Sequence, residues 1–164
     1  MTKLSVNINK IATLRNARGG NVPNVVQFAK DCERFGADGI TVHPRPDERH
    51  ITLKDVYDLA PVVKTEFNIE GYPDARFMEI IRSVKPAQAT LVPDPPHVIT
   101  SNTGWDVTKN KQLLIDIVQE IQSYGVRVSL FLNPEIHQVH EAKLTGTNRI
   151  EFYTGPFAEH YAEN

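Results

Sequence analysis

Two periodicities alternate along the chain. Short apolar runs that favour β-branched residues end in polar residues, and between them apolar positions return every three or four residues. The first kind predicts six strands, over Leu4–Asn9, Gly39–His43, Phe67–Glu70, Ala89–Val92, Arg127–Leu132 and Arg149–Tyr153. The second predicts amphipathic helices, over Val25–Phe35, around Phe77, Met78, Ile80, Ile81 and Val84, and around Leu113, Leu114, Ile117, Val118 and Ile121. Capping chemistry agrees with these bounds. Thr52 precedes a helix beginning near Leu53 with Asp55 three residues on, Asn133-Pro134 reads as an N-cap and first helical residue, and Gly36, Gly125 and Gly146 stand where left-handed C-caps belong. Strands alternating with helices imply a parallel sheet with right-handed crossovers.

The residues that close the strands are chemically able: Asn7 and Asn9, His43 and Arg45, Asn68 and Glu70, then Glu151. Positions two apart on a strand face the same way, so each pair is predicted to point into one space. In a parallel α/β barrel the C-terminal strand ends meet at one mouth, where the chemistry sits. His43 is a candidate acid or base near neutral pH, and Glu70 becomes one where burial raises its pKa. The plainer readings are a core histidine bonded to backbone and an exposed strand-end carboxylate.

A closed (β/α)8 barrel needs eight strands and about 250 residues. The chain has 164 residues and six predicted strands. The expectation is therefore one domain, residues 1–164, forming an N-terminal portion of a TIM barrel; a smaller doubly wound sheet is the alternative. Residues 93–109 read as a long loop of the kind that binds ligands, with Trp105 either covering a substrate or packing the loop.

Composition narrows the function. The formal net charge is −2, against a nucleic-acid partner. No apolar run approaches the ~20 residues of a membrane span and the N-terminus lacks a signal peptide's apolar segment, which places the chain in the cytoplasm. The one cysteine, Cys32, falls on the apolar stripe of its helix and reads as structural. Residues 1–20 hold Lys3, Lys10, Arg15 and Arg18 with no acid, and Arg45 and Arg49 follow; small anions, phosphates especially, suit such a cluster. His137, His140 and Glu141 share one helical face without a further ligand and read as surface, so no metal site is expected. Gly19-Gly20 is too short to define a phosphate cradle.

The runs Val6-Asn7-Ile8-Asn9-Lys10-Ile11-Ala12-Thr13-Leu14-Arg15-Asn16-Ala17-Arg18-Gly19, Gly36-Ala37-Asp38-Gly39-Ile40-Thr41-Val42-His43-Pro44-Arg45, Arg49-His50-Ile51, Asn68-Ile69-Glu70 and Val128-Ser129-Leu130-Phe131 resemble those of the pyridoxine 5′-phosphate synthases. The resemblance runs in order over essentially the whole chain. It implies a TIM barrel and a condensation of 1-deoxy-D-xylulose 5-phosphate with 3-amino-2-oxopropyl phosphate, giving pyridoxine 5′-phosphate, inorganic phosphate and water, with neither metal nor organic cofactor. By the same resemblance His43 and Glu70 are proton acceptors and Glu151 stabilises a transition state. Asn7 and Arg18 would hold the amino-ketone phosphate, and Arg45, His50 and Thr100 the ketose phosphate. A homo-oligomer, an octamer, is also implied by the resemblance. Many members carry Asp-His where this chain has Asn9-Lys10, so Asn9 binds a ketose hydroxyl but is no base. The family's later general acid and glycine-rich phosphate loops lie beyond residue 164, which implies that these 164 residues alone are inactive. Rival readings are a sugar-phosphate isomerase or aldolase, and a non-catalytic module that binds phosphorylated metabolites.

Overall fold

The computed structural model describes residues 1–94 and 103–162. Six parallel strands follow one another in space as in sequence: β1 (Ser5–Asn7), β2 (Gly39–Val42), β3 (Glu66–Gly71), β4 (Gln88–Leu91), β5 (Arg127–Leu132) and β6 (Arg149–Phe152). A doubly wound sheet reverses its strand order at a switch point. None occurs here, so the sheet is singly wound and curls as part of a TIM barrel.

Helices cover one face: α1 (Asn9–Arg18), α2 (Val25–Arg34), α3 (Leu53–Leu59), α4 (Ala75–Val84), α5 (Val107–Ser123), α6 (Ile136–Leu144) and α7 (Gly155–Ala162). The core lies between them and the outer sheet face. Ile40, Val42, Ile69, Leu91, Val128, Leu130 and Leu132 from the strands pack there with Ala12, Ala29, Val56, Leu59, Ile81, Leu114, Val118 and Ile121 from the helices. Burial of this face sets the parity of every strand. The alternate positions Ser5, Thr41, Asn68, Thr90 and Ser129 are therefore turned to the inner face.

Several local predictions hold. Thr52 and Asp55 form a reciprocal capping box at α3, and Gly36, Gly125 and Gly146 have φ of 102°, 80° and 81°. Others need correction. β1 ends at Asn7, so Asn9 does not pair with it on a strand but opens α1. Helix α1 has no clear periodic signal because its buried positions are Ala12 and Arg15, a small residue and a charged one. Strand β4 begins one residue earlier than predicted, at Gln88. Asn133 does not cap a helix: α6 starts at Ile136 behind Glu135. The Asn133 Oδ1 instead accepts the Gly104 N–H at 2.8 Å, and a Cβ on Gly104 would lie 2.1 Å from Asn133 N. Close backbone contact thus ties the end of the long loop to β5.

Candidate active site

Alternation along β3 puts Glu66, Asn68 and Glu70 on the inner face while Phe67 and Ile69 are buried outward. The inner face is polar and cross-linked. The Ser5 and Thr41 hydroxyls lie 2.8 Å apart, Asn68 Nδ2 donates to Thr41 Oγ1 at 3.2 Å, and Thr90 Oγ1 donates to Asn68 Oδ1 at 3.0 Å. Buried polar side chains so satisfied hold one another rigidly. Above them opens a concavity of about 520 Å³, bordered among others by Asn7, Asn68, Glu70, Ser129 and Glu151.

Two carboxyl groups dominate this space. Burial pushes the Glu70 carboxyl up to about 8, and the charge of Glu151 adds to the rise. Burial raises Glu151 as well. Asn7 Nδ2 is 3.5 Å from Glu70 Oε2, a long contact that leaves the carboxyl only weakly held. A carboxyl that exchanges its proton near neutral pH is matched to acid–base work.

The neighbouring concavity, about 20 Å³, is bordered by His43, Arg45, Tyr72, Arg76 and Asp94. Val42, the last residue of β2, pairs with Ile69 of β3, and His43 and Glu70 each follow directly. The His43 N–H donates to Asn9 Oδ1 at 2.9 Å, which fixes the departure of the chain from β2. Burial first, then the Arg45 charge and that of His50, lower His43 to about 3; burial and Arg45 lower His50 to about 4. Both imidazoles are thus neutral at neutral pH, each with one ring nitrogen bearing a proton and one a lone pair. The rings are 6.1 Å apart. The Ile51 N–H donates to His50 Nδ1 at 2.9 Å, which assigns the ring proton of the neutral form to Nε2.

The sequence-predicted site is therefore assembled in part. Asn7, Glu70 and Glu151 share one concavity; His43 and Arg45 share the next, with His50 beside them. Arg18 is exposed on the last turn of α1 and borders neither. Asn9 borders neither, and its side-chain oxygen serves His43. Thr100 lies outside the described residues. The basic cluster near the N-terminus is partly spent on structure, because Lys3 pairs with Asp38 and Arg15 with Asp55. Cys32 is partly buried against the core, His137 and His140 are exposed, and Trp105 is buried, stacked on Tyr72 with its indole N–H on the Leu91 carbonyl. Among the described residues no helix is long and apolar enough to cross a membrane. Sequence reasoning missed Tyr72, Arg76 and Asp94 at the mouth, and it missed the Arg15–Asp55 pair. An arginine three residues after a buried alanine on an otherwise ordinary helix was the one signal for that pair.

The raised Glu70 pKa has a consequence for stability. Between about 4.5, the ordinary value, and about 8, the unfolded chain has released this proton while the folded chain keeps it. Stability contributed by this group therefore falls as pH rises through that window. Glu70→Gln is expected to raise the thermal midpoint above pH 8 relative to the parent and to leave it nearly unchanged near 4.5. A midpoint difference that does not grow with pH would show the carboxyl to be ionised at its ordinary value.

Known proteins similar to this chain identify its family. The profile of the family described as pyridoxal phosphate biosynthesis protein PdxJ matches residues 4–164. The pyridoxine 5′-phosphate synthase of Bacteroides fragilis is 58% identical over 164 residues, all of this chain and 69% of that protein. The enzyme of the same name from Porphyromonas gingivalis is 58% identical over 98% of this chain and 68% of its own length. A mandelate oxidase structure superposes with a TM-score of 0.60 at 9% identity, covering 89% of this chain and 54% of that one, a likeness of fold alone. On its sequence over nearly its whole length, and with a curled parallel sheet that forms part of a TIM barrel, this chain belongs to the PdxJ family of pyridoxal phosphate biosynthesis proteins.

Proposed function

We propose that this chain is a pyridoxine 5′-phosphate synthase, joining 1-deoxy-D-xylulose 5-phosphate to 3-amino-2-oxopropyl phosphate by transferase-type C–N bond formation and ring closure, with release of inorganic phosphate and water. The observation that carries this reading is a carboxyl pushed up to about 8, Glu70, set beside a second carboxyl, with a neutral imidazole, His43, directly after the end of the adjacent strand. Condensing an amine with a ketone and aromatising the product takes several proton transfers, so more than one positioned acid–base group is needed. Protein side chains supply them in this proposal, without a cofactor.

In the proposed roles, neutral His43 and ionised Glu70 accept protons, and Glu151 stabilises cationic character as the amine adds. Arg45, His50 and Thr100 hold the ketose phosphate; Asn7 and Arg18 hold the amino-ketone phosphate. Asn9 contributes a side-chain amide near the ketose while its oxygen holds His43. Arginine suits phosphate because its planar fork donates two parallel hydrogen bonds. Holding both substrates together supplies further acceleration through proximity.

β1 and β6 each pair along one edge only among the described residues. We propose that turnover needs those edges bridged, and that these 164 residues alone bind ketose phosphate without forming product. Calorimetric titration with 1-deoxy-D-xylulose 5-phosphate is expected to show binding that weakens at least about tenfold in Arg45→Ala, in line with loss of a charge-assisted pair. Product formation by this chain alone would overturn the need for closure. Binding indifferent to Arg45 would overturn the ketose site.

A further inference from the structure

We propose that the buried Arg15–Asp55 ion pair is a positioning clamp that fixes the segment from His43 to Thr52 against α1, so that His50 and Arg45 meet the phosphorylated ketose at a set distance from Arg18. The inference rests on the proposed function for its substrate and on geometry for its mechanism.

Arg15 and Asp55 are 8% and 6% exposed, and both terminal guanidinium nitrogens reach the carboxylate, Nη2 to Oδ2 at 2.8 Å. A buried ion pair is a poor device for stability alone, since apolar residues of similar size do as well. Its remaining hydrogen bonds are informative. Arg15 Nη2 also donates to the His50 carbonyl at 3.3 Å and to Asn16 Oδ1 at 2.9 Å. Asn16 Nδ2 in turn lies 2.9 Å from the same His50 carbonyl and 3.3 Å from that of Glu48. Asp55 Oδ2 accepts the Thr52 N–H and hydroxyl, each at 2.8 Å. Both ends of the pair thus terminate on the segment that follows β2.

That segment is held in an uncommon shape. Glu48 has φ of 50°, a left-handed conformation that a residue with a Cβ adopts only when its surroundings impose it. Its N–H donates to the Arg45 carbonyl at 3.0 Å, and its side chain accepts the Leu53 N–H at 2.8 Å. Arg76 Nη1 donates to the Pro44 carbonyl at 2.7 Å and secures the other side. Arg18 lies three residues beyond Arg15 on the same rigid helix. The clamp therefore sets the spacing between the two proposed phosphate subsites.

The test uses Arg15→Lys, which keeps the charge but not the bidentate fork, and Asn16→Ala, an exposed position that leaves the ion pair intact. Ile121→Val is the control for general destabilisation. In a chain extended to the relatives' length, both clamp variants are expected to raise KM for 1-deoxy-D-xylulose 5-phosphate, Arg15→Lys by about tenfold. KM for the amino-ketone phosphate stays within about threefold, because the residues the clamp fixes hold the ketose, while kcat falls with the lost alignment of the two substrates. Amide exchange at Arg49, His50 and Ile51 should quicken in both variants and not in the control. Unchanged exchange, or equal changes in both KM values, would overturn the clamp. Quickened exchange in a protein whose unaltered form binds neither substrate would uphold the clamp and overturn the functional reading. If Arg15→Lys does not fold, Asp55→Asn, which keeps the shape of the carboxylate without its charge, takes its place with the same expected outcomes.

Discussion

In a chain extended to the relatives' length, Glu70→Gln should lower turnover by about 10²–10⁴-fold, the range for loss of one positioned acid–base group, while ketose-phosphate affinity stays within about twofold. Glutamine keeps the shape and the contact to Asn7 but carries no exchangeable acidic proton. The effect should concentrate in kcat because Glu70 borders the space where bonds form rather than the Arg45 side where the ketose phosphate is proposed to sit. A proton acceptor acts in its ionised form, so kcat/KM of the parent is expected to rise as pH passes about 8, and the rise should vanish in the variant. Turnover within threefold of the parent, or an unchanged pH profile, would remove Glu70 from the chemistry.

Ile69→Ala is expected to destabilise the fold by about 2–5 kcal/mol, and Ile69→Val by about 0.5–1.5 kcal/mol, the ranges for truncation of fully buried aliphatic side chains. Ile69 is 0% exposed in the core under the helices. It stands between Asn68 and Glu70, so its burial turns both toward the inner face. Shifting a strand by one residue would move its apolar set out of the core and its site residues with it. Urea denaturation of both variants gives the measurement. A loss under about 1 kcal/mol for alanine would mean that outer-face packing is not what orients Asn68 and Glu70.

The strand and helix pattern was legible because each element buries one face, and burial writes its period into the residues. Strands β2, β3, β5 and β6 were predicted to within a residue or two, and the Thr52–Asp55 box and the three C-capping glycines stand where local chemistry requires. Reading failed where an element departs from that rule. Helix α1 buries a charged arginine in place of an apolar residue, and its amphipathic signal is lost. Asn133 was read as a cap from its neighbour Pro134, yet its partner is Gly104, 29 residues away. Local propensity cannot anticipate a partner brought by a crossover.

The order and type of the elements, the identities of His43, Glu70, Glu151 and Arg45, and the parity that aims Glu70 and Glu151 inward are properties of the chain read linearly. They depend on local propensity and on which face must leave water. Tertiary structure alone decided which charges remain for ligands and which are consumed, since Arg15 and Arg18 look alike in sequence while one is buried against Asp55 and the other is exposed. It alone also decided that burial pushes Glu70 up to about 8 and His43 down to about 3. Proton affinity follows from lost water and from the charges of residues distant along the chain, and both exist only once the strands lie side by side.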